Sequence, residues 1–206
     1  MTIDDVMQAA PVIPVLVLDG TLDPTALAET LVEAGLPVLE VTLRTPQAMD
    51  ALRAMARVPG AIVGAGTVLD PEQLARAQDA GASFIVTPGL TERLTRAALD
   101  SKLAYLPGIA NAGDIMRGLE MGLSRFKFFP AAALGGLPAL DALSGPFADV
   151  RFCPTGGIRR DTAREWLAHR SVTCVGGTWL VPKDATDLAI VAELARDAAG
   201  LRRHAI

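Results

Sequence analysis

Cysteine, histidine and lysine are scarce in this 206-residue chain, with two, two and three residues respectively against sixteen arginines. Each shortage removes a class of chemistry. Cys153 and Cys174 fall near the ends of expected strands, where a reducing cytosol keeps them as thiols and a small apolar role suits them. His169 and His204 lie in the last fifth of the chain, and no His or Cys cluster has metal-ligand spacing. A zinc-dependent mechanism is disfavoured, and neither a metal nor another cofactor is expected. No apolar run reaches the roughly 20 residues that span a bilayer. The start, Met1-Thr2-Ile3-Asp4-Asp5, lacks the basic stretch of a signal peptide. A cytoplasmic protein with no membrane partner is therefore expected. Basic runs interleaved with aromatics are also missing, and net charge is -4 with pI near 5.2, so nucleic acid is not an expected partner.

What the chain has is apolar residues, 50% of the total against 20% charged, enough for a large core. Short β-branched runs alternate with Ala/Leu/Arg/Glu-rich segments of helical period, with no linker between them, the signature of βα units on a parallel sheet. Strands are expected at Ile13 to Leu18, Val38 to Leu43, Ala61 to Gly64, Phe84 to Val86, Ala104 to Leu106, Phe126 to Phe128, Val150 to Phe152 and Val172 to Val175. Helices are expected near Pro24 to Ala34, Pro46 to Arg57, Pro71 to Ala80, Thr91 to Leu99, Gly113 to Met121, Leu137 to Leu143, Asp161 to Ala168 and Asp184 to Ala199. Asp23-Pro24, Thr45-Pro46 and Asp70-Pro71 read as helix starts, a capping side chain preceding a proline with no amide to lose. A short extra helix fits Asp4 to Ala9. The expected fold is α/β, a single (β/α)8 TIM barrel over residues 1–206, at about 26 residues per unit.

Such barrels carry their sites at the C-terminal ends of the strands. Lys127 stands there, in Arg125-Phe126-Lys127-Phe128-Phe129-Pro130. With side chains alternating across a strand, Phe126 and Phe128 pack outward and Lys127 points into the enclosure. Burial disfavours an ammonium and favours the neutral amine that attacks a carbonyl. A structural ion pair, or a lysine whose end reaches solvent, would place the residue equally well. Glu40 and Arg44 share one face of their strand, opposite Leu39, Val41 and Leu43. Glu40 suits either proton transfer in an imine mechanism or barrel closure, while Arg44 offers a planar fork to a carboxylate and Thr67 a nearby hydroxyl. Thr155-Gly156-Gly157 and Gly176-Gly177-Thr178 are read as turns presenting bare amides at helix starts, a phosphate cradle, the other reading being glycines that merely allow tight turns. Gly64 to Thr67 and Pro107 to Ile109 are read as ordinary strand-to-helix turns.

Five segments together resemble the 2-keto-3-deoxy-6-phosphogluconate (KDPG) aldolases, including members that also act as 4-hydroxy-2-oxoglutarate aldolases. They are Glu40 to Thr45, Val63 to Leu69, Thr87-Pro88-Gly89, Lys127 to Ala131 and Phe152 to Ile158, within a likeness running from about Pro11 to Pro182. The resemblance implies a class I aldolase of the Entner–Doudoroff pathway, a homotrimer without metal. KDPG would be cleaved to pyruvate and glyceraldehyde 3-phosphate, with 4-hydroxy-2-oxoglutarate as a second substrate. The galactonate isomer of KDPG is an alternative substrate, and a phosphosugar isomerase or epimerase is an alternative of another class. Lys127 would form the Schiff base and Glu40 act as general acid/base. Arg44 and Thr67 would hold the pyruvate carboxylate, Pro88 and Phe129 shape the pocket, and Gly156, Gly157, Gly177 and Thr178 bind phosphate. Asp19-Gly20, Asn111 and Thr178 depart from the family pattern, at positions bearing on the aldehyde half.

Overall fold

Strand and helix alternate along the chain as the hydrophobic periods require. The computed structural model describes residues 1–183 and 185–201, so Asp184, the expected start of the last helix, and His204 lie outside the described residues. In chain order the first elements are α1 (Ile3–Ala9), β1 (Val12–Leu16), α2 (Pro24–Glu33), β2 (Val38–Thr42), α3 (Ala48–Met55) and β3 (Ile62–Gly66). Next come α4 (Pro71–Asp79), β4 (Phe84–Val86), α5 (Glu92–Ser101), β5 (Ala104–Leu106), β6 (Gly108–Ile109) and α6 (Ala112–Glu120). The last are β7 (Arg125–Phe128), α7 (Gly136–Ser144), β8 (Arg151–Pro154), α8 (Ala163–Leu167), β9 (Val175–Gly177) and α9 (Leu188–Ala199).

Among the described residues all strand pairings are parallel. One sheet runs β5-β4-β3-β2-β1-β9 and the other β6-β7-β8. They are two arcs of one barrel. β5 and β6 form a single stave broken at Pro107, whose carbonyl accepts the Lys127 amide at 2.8 Å. On the far side, bridges Phe152↔Val172 and Thr155↔Gly176 join β8 to the stave that ends in β9. Among the described residues eight staves thus close the ring and leave no strand edge exposed.

The barrel has an inner and an outer core. Inside, Ile13, Val38, Phe84, Val86, Ala104 and Leu106 pack together, and Val6 and Met7 of α1 join them as a plug. A capping box at Thr2 and Asp5 starts α1, and Asp4 binds Arg125 at the base of β7 at 2.6 Å. Outside, Leu39, Val41, Phe126, Phe128 and Phe152 pack under the helices. Each fully buried side chain of this size contributes about 1.5–3 kcal/mol. The alternation expected for β2 and β7 is present: apolar residues outward, Glu40 and Lys127 inward.

Two of the three expected Pro-led caps form. Asp23 accepts the Ala26 amide at 2.8 Å and Asp70 that of Gln73 at 2.7 Å. Thr45 does not cap; its hydroxyl donates to the Leu18 carbonyl, and α3 starts at Ala48 behind an uncapped Gln47. A tertiary acceptor has taken the hydroxyl from the local one. Asn111 caps α6 through the Asp114 amide at 3.1 Å, giving that departure from the family pattern a structural role.

Glycine segments account for the larger corrections. Ala65-Gly66, Gly108-Ile109 and Gly176-Gly177 read as turns, yet all lie in strands, while Gly64, the expected strand end, lies inside one. Their missing side chains make room for neighbours. A Cβ built on Gly64 would meet the Phe84 ring at 2.5 Å, on Gly108 the Pro88 backbone at 2.3 Å, and on Gly177 the Trp179 ring at 2.0 Å. Glycine is depleted in strands generally, but a close approach reverses the preference.

Candidate active site

β2 and β7 stand opposite each other across the ring, so only long side chains from both can meet at its centre. Lys127 and Glu40 do so. Lys127 Nζ donates to Glu40 Oε1 at 2.8 Å, and the two residues are 5% and 3% exposed. Lys127 is in register with Gly108 on one side and Cys153 on the other, and its Nζ lies 5.4 Å from the centroid of the Phe129 ring. That distance is within cation–π range. The pair sits in the barrel with Phe84 and Leu106 among the packed interior residues, so a carbonyl reaching Nζ leaves bulk water.

The second pair lies nearer solvent. Arg44 Nε donates to Thr67 Oγ1 at 3.2 Å, with Arg44 exposed and Thr67 half-buried. Thr67 has φ 59°, a left-handed conformation that costs a β-branched residue about 1–3 kcal/mol. Strain of this kind collects at binding and catalytic positions. Among the described residues, no hydrogen bond or ion pair links Arg44 or Thr67 to Lys127 or Glu40.

Pro88 is fixed from beneath. Thr87, at the end of stave four, donates to the Gly89 carbonyl at 2.7 Å and lies 3.3 Å from the Tyr105 hydroxyl, which is also 3.3 Å from Thr95 Oγ1. Burial pushes the Tyr105 hydroxyl above its ordinary pKa, and its bonds to Thr87 and Thr95 partly offset this. Gly108 lets the Pro88 backbone pass close by. Residue patterns alone do not mark Thr87 and Tyr105 as supports. The one signal available was the chain's only tyrosine, placed on a strand one stave away.

Gly156 and Gly157 have φ of +96° and +78°. Consecutive amides in such a loop form an anion-binding concavity. The expected helix starts are absent behind both glycine pairs: α8 begins at Ala163 and α9 at Leu188. Gly177 is buried inside β9, and Thr178 follows it, exposed. Any cradle here is therefore built from loop amides and a hydroxyl.

A cavity of about 840 Å³ opens elsewhere, between α8 and α9, lined by Arg159, Arg160, Arg164, Trp179, Asp197 and Leu201. Arg160 pairs with Asp197 and Arg159 with Asp161. It places no nucleophile beside a base, so volume does not locate the chemistry. Among the described residues, no group of three or more His, Cys, Asp or Glu is gathered to hold a metal ion.

A closed barrel with this constellation at the C-terminal ends of its strands is a TIM-barrel enzyme. The family described as KDPG and KHG aldolase matches residues 3–194. The chain belongs to that family, whose curated relatives are lyases. It is 53% identical over 204 residues to the 2-dehydro-3-deoxy-phosphogluconate aldolase of Zymomonas mobilis, covering 99% of this chain and 98% of that one. A crystal structure of the Zymomonas mobilis ZM4 KDPG aldolase with 3-phosphoglycerate superposes with TM-score 0.95 at 53% identity, covering 98% of this chain and 96% of that one. The Legionella pneumophila KDPG aldolase, with pyruvate captured as a covalent carbinolamine, gives TM-score 0.94 at 44% identity over 97% and 99% of the two chains.

Proposed function

We propose that the protein cleaves KDPG to pyruvate and glyceraldehyde 3-phosphate through a Schiff base on Lys127, and also cleaves 4-hydroxy-2-oxoglutarate to pyruvate and glyoxylate. The observation that carries this reading is the enclosed Lys127 amine 2.8 Å from the Glu40 carboxylate. A nucleophile within hydrogen-bond reach of a base is the arrangement covalent catalysis needs. The carbinolamine captured in the Legionella relative and the phosphate compound bound to the Zymomonas one represent the two halves of such a substrate.

In this mechanism Lys127 Nζ, having passed a proton to Glu40, attacks C2 of the keto acid. Glu40 then protonates the departing hydroxyl, water leaves, and a protonated imine remains. That imine is the electron sink. Glu40, directly or through a water, takes the proton of the C4 hydroxyl; the C3–C4 bond breaks, its electrons enter the imine, and the aldehyde departs. The enamine is reprotonated at C3 by Glu40, and hydrolysis frees pyruvate and Lys127. Arg44 and Thr67 hold the substrate carboxylate, and Pro88 and Phe129 wall the ketone. The Gly156 and Gly157 amides, Gly177 and the Thr178 hydroxyl take the phosphate.

The reading is tested by coupled detection of pyruvate released from KDPG, its galactonate isomer and 4-hydroxy-2-oxoglutarate. KDPG should give the highest kcat/KM; a higher value for the isomer would reassign the substrate, and no release from any of them would end the proposal. In the same assay Thr178→Ala should lower the preference for phosphorylated over unphosphorylated substrate about tenfold, the effect of one charge-assisted hydrogen bond. An unchanged preference would remove Thr178 from the phosphate site. The proposal also includes a homotrimer, checked by a solution mass of three times 21.5 kDa, and a cytoplasmic location. Among the described residues no helix is long and apolar enough to cross a membrane.

A further inference from the structure

We infer that Gly66 is a positioning residue for Glu40: the lack of a side chain there lets the carboxylate lie against β3 and meet Lys127. The inference rests on the Schiff-base reading, which gives Gly66 no part. A Cβ built on Gly66 would fall 2.3 Å from Glu40 Oε1, 2.6 Å from its Cγ and 2.8 Å from its Cδ. Non-bonded carbon atoms rest at about 3.5–4.0 Å. The oxygen most encroached upon, Oε1, is the one that accepts from Lys127.

Two features make the carboxylate, rather than the strand, the part that gives way. Gly66 pairs with Thr42, and its carbonyl accepts the Leu43 amide at 2.8 Å, so β3 is anchored to β2 at this level. Its φ is also outside the left-handed region, so alanine suits the backbone conformation. What alanine would change is the space above it. Gly64, two residues earlier on the same face, makes room for the Phe84 ring instead and serves packing. The two interior glycines of β3 thus have different neighbours and different consequences.

A misplacement of about 1 Å at a catalytic group lowers rate by about 100-fold. Gly66→Ala is accordingly expected to lose about 100-fold in kcat on KDPG with KM little changed. Glu40→Asp supplies the discriminating arm. Aspartate is one methylene shorter: it removes the contact at Oε1, and its Cγ, whose place lies 2.6 Å from the added carbon, clears that carbon by turning about χ1 once the longer arm no longer fills the space. Glu40→Asp alone should lower kcat, yet in the Gly66→Ala background it should raise kcat, a reversal of sign that general destabilisation would not produce. Wild-type kcat in Gly66→Ala, or losses that simply multiply in the double variant, would overturn the inference. Should Gly66→Ala be recovered unfolded, restoration of folding by Glu40→Asp would uphold it and failure to restore would overturn it. Wild-type pyruvate release separates the layers. A wild type that releases none sinks the Schiff-base reading and this inference with it; normal turnover in both wild type and Gly66→Ala sinks the positioning role alone.

Discussion

Lys127→Met is expected to lose about 10⁴-fold or more in kcat on KDPG, the scale seen when a covalent nucleophile is removed. Methionine nearly matches lysine in length and packs in irregular apolar space, so the barrel keeps its filling while the amine is lost. Lys127→Arg sharpens the result. Arginine keeps the positive charge beside Glu40, but its guanidinium does not deprotonate to form an imine. In the isomerase or epimerase alternative, Glu40 moves the proton and residue 127 supplies only charge, so Lys127→Arg should retain most activity. In the Schiff-base mechanism it should fall as far as Lys127→Met. A loss below about tenfold in either variant would leave the nucleophile unassigned.

The same residue should dominate local stability, in a way that separates pairing from catalysis. With side chains 6% and 4% exposed, Lys127 and Glu40 form a buried ion pair. Removing one partner of such a pair strands the other charge and typically costs about 3–5 kcal/mol. Lys127→Met or Glu40→Leu alone should therefore lower the melting temperature by about 10 °C for a domain of this size. Replacing both partners by apolar residues removes the stranded charge and is often neutral or stabilising by about 1–4 kcal/mol. The variant carrying both changes should recover wild-type stability and stay inactive. Additive destabilisation in urea or thermal unfolding would show that the pair is not an isolated buried unit. Recovery would show the reverse: a pair that contributes little net stability and is explained by chemistry.

Much of this arrangement could be read from residue patterns. Alternation in Phe126-Lys127-Phe128 puts the lysine inside any barrel, and the same period in Leu39-Glu40-Val41 puts the glutamate there too. The opposition of β2 and β7 follows from counting staves. Less legible were positions whose role depends on a neighbour from another strand. Gly176-Gly177 reads as a turn because glycine is rare in strands, and only the Thr155 hydroxyl and the Trp179 ring, at 2.4 and 2.0 Å from a built Cβ, show why it is not. Thr45 reads as a cap because the Leu18 carbonyl that claims its hydroxyl is 27 residues away. Gly66 carries no signal of its own, since its effect exists only once the Glu40 side chain lies across it. Local chemistry was visible in the sequence, while close approach between staves was not.

Covalent trapping reads out the imine on Lys127 itself. The protein is incubated with pyruvate, reduced with borohydride, digested and examined by mass spectrometry. A reduced pyruvyl adduct is expected, confined to the peptide containing Lys127 and absent from Lys127→Met. An unmodified Lys127 in enzyme that still releases pyruvate, or an adduct on Lys102 or Lys183 instead, would contradict it.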